Sequence, residues 1–153
     1  MENVKTEKQL NTLLETTYDA QRGFANAAEV TKHVQLKRWL AQQGARRTEF
    51  AAVLAGKMKG MNQNPINDGT VAGDMHRGWM NIKTALSLNK DESVLEECLS
   101  GEKNAVKEYN KVLEHKSELP PTIVSVLEAQ KDEIQATVNK VRSLEHFAHE
   151  HNL

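Results

Sequence analysis

Apolar side chains recur at three- and four-residue steps along four long stretches of this chain, the period of helices buried on one side. From about Val4 to Thr31 the stripe is Leu10, Leu13, Leu14, Thr17, Phe24, Ala27, Ala28 and Thr31, with the polar Gln21 between Thr17 and Phe24. Gly23 inside that helix costs about 1 kcal/mol against Ala, which points to a close neighbour there. No strong breaker follows, and the boundary with the next helix is expected within Lys32–Gln35. A hairpin is preferred because one helix from Val4 to Gly60 would run for more than ~80 Å without a sustained heptad pattern.

The second helix, Leu36 to about Lys59, starts its stripe with Leu36, Trp39 and Leu40 and resumes it at Phe50, Val53, Leu54 and Met58. Between them, QQGARRTE carries no large apolar residue, and the stripe passes through Gln43 and either Arg46 or Arg47. Gly60 to Gly73, GMNQNPINDGTVAG, has the Gly, Asn, Pro and Asp of a connection. Met75, Trp79, Ile82, Ala85 and Leu86 then mark another helical face. Asn89, with Glu92 three residues on, reads as the cap of a new helix start.

From Val94 to Leu113 the stripe is Leu95, Cys98, Ala105, Tyr109 and Val112, and Glu102 stands in it where spacing predicts a Leu. Pro120 and Pro121 separate this helix from the last, because proline fits a first helical turn. The last helix shows Ile123, Val124, Leu127, Ile134, Val138, Val141, Leu144 and Ala148, with Gln130 in the gap after Leu127. No strand pattern and no repeat is found. The expected fold is all-α, one four-helix-bundle domain over residues 1–153, with a long helical crossover between helices two and three as in ferritin-like connectivity.

The composition agrees with this reading. Only 5% of the 153 residues are aromatic, Gly and Pro number 8 and 3, and 27% are charged against 39% apolar. The net charge is −1 with both signs mixed, so no nucleic-acid or membrane-surface partner is expected. MENVKTEKQL lacks the apolar core of a signal peptide, no run is long enough to span a bilayer, and a cytoplasmic protein is expected. The single Cys98 leaves no intrachain disulfide or multi-cysteine zinc site, and it reads as a small buried hydrophobe. A homodimer, formed through helix one or the segment around Trp79, is the expected assembly.

The stripe interruptions fall near each helix's midpoint, so Gln21, Gln43 or Arg46 and Arg47, Glu102 and Gln130 are expected in one interior polar layer. Carboxylate bundles hold metal at that height with Glu-x-x-His on two helices. Here Val30, Gly73, Val112, Ser143, His146 and Ala148 precede the six histidines by three, and none is Glu. Three readings of Glu102 stay open: snorkelling at the stripe edge, a buried pair with Arg46 or Arg47, or a mononuclear metal site. No cofactor is expected beyond such an ion, and no catalytic residue is assigned. The tail EHFAHEH places Glu145 and His149 on one face and reads as solvated.

The blocks LNTLLETTYDAQRGFANAAE, GTVAGDMHRGWMNIKTAL and VLEECLSGEKNAVKEY, above all GxVAGxxHRGW at Gly69–Trp79 and LEEC with GE at Leu95–Glu102, resemble a bacterial family of ferritin-like four-helix bundles known only as a domain of unknown function. The resemblance runs from about Leu10 to Leu144. It implies a ferritin-like fold, a bacterial cytoplasmic setting and no established activity. It also implies an acid where Gln21 stands and a histidine near Val138, and this chain departs at both. If those positions are ligands in the family, Glu102 and Glu49 are the matching metal candidates that this chain retains. The function expected on these grounds is a non-catalytic structural, stress-related or interaction role with a degenerate metal site; the alternative is a metal-binding protein or oxidoreductase using a reduced site around Glu102.

Overall fold

The computed structural model describes residues 2–67, 79 and 90–153. Among them are four α-helices and no strand: α1 (Glu2–Val30), α2 (Val34–Gly60), α3 (Asp91–Leu113) and α4 (Pro121–Glu150). A short 3-10 turn, Lys116–Glu118, lies between α3 and α4. The expected crossover helix, with Met75, Ile82, Ala85, Leu86 and the cap Asn89, falls outside the described residues.

Each helix buries most of the stripe its period predicts, with Trp39, Val124 and Leu144 half-buried and Val53 48% exposed. The hairpin boundary is a three-residue turn after Val30, where the Thr31 hydroxyl donates to the Ala27 carbonyl at 2.7 Å. Helix α3 starts at Asp91, with Lys90 in the capping position and no side-chain cap. The Asp91 carboxylate is used elsewhere: the backbone N–H groups of Lys32 and His33 donate to it at 2.9 Å each. One acid thereby ties the start of α3 to the turn between α1 and α2, and it offsets the exposed amides that open α2. Pro121 occupies the first turn of α4, as its fixed φ favours.

The ends of the helices set the topology. Asp91 puts the start of α3 beside the start of α2, while the Lys5–Glu118 pair, at 3.4 Å, puts the end of α3 near the start of α1. So α3 runs parallel to α2 and antiparallel to α1, and α4 returns along α3, packing on it and more lightly on α2, its His149 reaching Glu92 at the head of α3. Helix α2 therefore ends at the opposite end of the bundle from where α3 begins, and the intervening chain must cover about 40 Å, the length of a 27-residue helix.

Two apolar clusters fill the interior. One gathers Leu10, Leu14, Leu54, Met58, Tyr109 and Leu127 toward the start of α1. The other gathers Phe24, Leu36, Leu40, Trp79, Leu95 and Val141 toward its end. Trp79 is buried between α1 and α3, against Gly23 and Gly101, and a Cβ at either glycine would strike the indole. Gly23 is thus explained by a close neighbour, as its place inside a helix implied.

Candidate functional site

Between the two apolar clusters the core turns polar. Arg47 of α2 and Glu102 of α3 are the centre of this layer, 1% and 0% exposed, with Arg47 Nη2 at 2.5 Å from Glu102 Oε2. Arg47 follows Leu40 by two turns, so the inward phase of α2 carries it into the core. Glu102 follows Leu95 and Cys98 in the same way on α3. The guanidinium lies between two phenylalanine rings, 5.5 Å from the centroid of Phe24 and 5.0 Å from that of Phe50, and so gains cation–π attraction from both. Arg47 Nη2 also approaches Thr137 Oγ1 of α4 at 3.4 Å.

A second set of bonds completes the layer beside the pair. The Tyr109 hydroxyl donates to Gln130 Oε1 at 2.7 Å, and Gln130 Nε2 donates to the Phe50 carbonyl at 3.1 Å. Thr17 approaches Tyr109 at 3.5 Å and donates to the Leu13 carbonyl within its own helix at 2.7 Å. Among the described residues Arg47 Nε and Nη1 and Glu102 Oε1 are buried without a hydrogen-bond partner.

Burial pushes the Glu102 carboxyl up to about 7, with the Arg47 charge and hydrogen bond pulling the other way. Burial likewise raises Tyr109 to about 12, against the lowering effect of its contact with the Thr17 hydroxyl. Cys98, one turn before Glu102, is pushed well up by burial and then by the Glu102 charge, so it has no thiolate character at neutral pH.

The other residues expected in this layer lie elsewhere. Arg46 faces out, pairing with Glu133 at 2.7 Å and 2.8 Å and with Glu49 at 3.3 Å. The Arg46–Glu133 hydrogen bond holds the Glu133 carboxyl below the usual range. Glu49 is exposed on that same outer side of α2. Gln43 is half-buried. Gln21 is half-buried too and lines an outer groove between α1 and α2 with Ala25, Ala28, Ala41 and Gly44. The two backbones are close at this height, a Cβ on Gly44 lying 3.4 Å from the Gln21 carbonyl oxygen, and the buried Ala20 takes the inward place of that turn. Thr17, Thr137 and the two phenylalanines were not anticipated as partners of the pair. Thr17, Phe24 and Phe50 stand on the apolar stripes, which is their only signal in the sequence, while Thr137, one residue before Val138, stands off the stripe read for its helix.

Residues 5–115 match a protein family described as a domain of unknown function, DUF2383. The chain belongs to that family. No curated protein and no solved structure matches it. The DUF2383 match covers α1, α2 and α3, and so both members of the ion pair, while Gln130 and Thr137 on α4 lie beyond it. Among the described residues of this DUF2383 protein no three His, Cys, Asp or Glu side chains are grouped to hold a metal, and no helix is long and apolar enough to cross a membrane.

Chemically, the layer neutralises charge inside the bundle. A guanidinium already pairs with one oxygen of the buried Glu102 carboxyl, and its positive charge repels a cation at that height.

Proposed function

We propose that this DUF2383 protein is a ferritin-like bundle of the bacterial cytoplasm that acts without catalysis, in a structural, stress-related or interaction role. Its interior ion pair stands where carboxylate bundles hold metal. The ferritin-like reading is supported by α3 running parallel to α2, which demands a connection along the bundle. The single observation that carries the non-catalytic reading is Arg47 Nη2 at 2.5 Å from Glu102 Oε2, both side chains buried. A pair of this kind is best attested as a device that specifies helix register.

Elemental analysis of natively purified protein tests the proposal. The expected result is no stoichiometric iron or manganese. Iron or manganese at one equivalent or more, lost in Glu102→Ala while the helical circular dichroism is kept, would favour the alternative of a reduced metal site. That alternative also needs Glu49 to approach Glu102, although Glu49 sits exposed on the outer side of α2 and is engaged by Arg46.

A further inference from the structure

Away from the interior layer, one groove on the α3–α4 face gathers metal-ligating side chains. It measures about 390 Å³ and is lined by Glu92, Leu99, Arg142, Glu145, His146 and His149. Glu92 Oε2 lies 3.0 Å from His149 Nδ1. Glu145 precedes His149 by one turn on α4, so the two share a face. Glu145 Oε2 is screened from solvent and has no hydrogen-bond partner among the described residues.

We propose that Glu92, Glu145 and His149 form a site for a divalent transition-metal cation with the preferences of zinc. Zinc takes imidazole nitrogen and carboxylate oxygen at about 2.0–2.2 Å, so two ligand atoms at a tetrahedral angle stand about 3.3 Å apart. The His149–Glu92 separation of 3.0 Å is close to that spacing, and a cation entering between the two atoms displaces only the shared proton. No three such groups already converge among the described residues, so Glu145 completes the site by rotating its carboxylate onto the ion.

His146 pairs with Glu150 at 2.9 Å, and the His151 ring meets the Phe147 carbonyl at 2.8 Å, so neither is counted as a ligand.

Calorimetric titration of the full chain with zinc chloride, alongside circular dichroism, tests the site. The expected result is one zinc per chain with a dissociation constant on the order of 10 μM. Glu92→Gln, Glu145→Gln and His149→Ala should each weaken binding by about tenfold or more. His151→Ala and His115→Ala should bind as the wild type does. Binding only at millimolar zinc, or wild-type affinity in any of the three ligand variants, would overturn the proposal. So would a loss in His151→Ala equal to that in His149→Ala, which would assign the affinity to the histidine-rich tail.

Discussion

Arg47 and Glu102 are each costly to bury alone, and their worth is a difference between large opposing energies. Removing one partner of a buried pair typically costs about 3–5 kcal/mol, whereas replacing both with apolar groups of similar volume is often neutral or stabilising. Arg47→Met and Glu102→Leu are therefore each expected to lower unfolding free energy by about that much in urea titration. The double variant should recover most of the loss, because the unpaired charge is what each single variant leaves behind. A double variant as unstable as the sum of the singles would mean that the two side chains are not energetically coupled, and would refute the pairing.

The same pair makes stability depend on pH. Glu102 binds its proton more tightly in the folded chain, near 7, than at its ordinary value of 4.5. The folded state thus holds the extra proton between those values, so this group's contribution is full below 4.5 and is lost as pH rises through 7. Thermal melts of the wild type should gain stability from this residue between pH 8 and pH 5, and Glu102→Gln should lack that component. Equal pH slopes in the two proteins would refute the assignment.

At the scale of the helices, glycines set where elements can meet. Gly23 on α1 and Gly101 on α3 leave the space that the Trp79 indole fills, and its ring lies 5.0 Å from that of Phe24. Gly101→Ala should cost about 1–3 kcal/mol by overpacking. It should also shift tryptophan emission to the red as the indole is pushed toward water, and unchanged emission would contradict the packing. The helices themselves were legible from apolar spacing, because a stripe a hundred degrees wide survives small errors of phase. The interior polar layer demanded finer phase than that. In QQGARRTE the two arginines differ by one residue and Gly44 carries no side chain to mark the inward face, so spacing admitted both Arg46 and Arg47. Gln21 satisfied the period and still went to the outer groove, because its neighbour Ala20 takes the inward place of that turn.

At the scale of the whole molecule, the connectivity follows from a few contacts at the bundle's ends. Asp91 binds the turn between α1 and α2, so Asp91→Ala should cost about 1–3 kcal/mol through the two charge-assisted hydrogen bonds it removes. Denaturation of that variant checks it. The homodimer expected from the frequency of such assemblies is checked by sedimentation at tens of micromolar. The expected species has twice the 17.2 kDa chain mass. Trp79 is not available to that interface, being buried within its own chain.

Periodicity alone determined the helical class, the four long stripes and the place of Glu102 on one of them, since each depends on side chains repeated along one segment. Which arginine met that acid, which glutamines stayed inside, and how Glu92 came beside His149 were decided by tertiary packing. Those choices depend on how closely two backbones approach and on which ends of the bundle coincide, distances between segments far apart in the chain that no local pattern encodes.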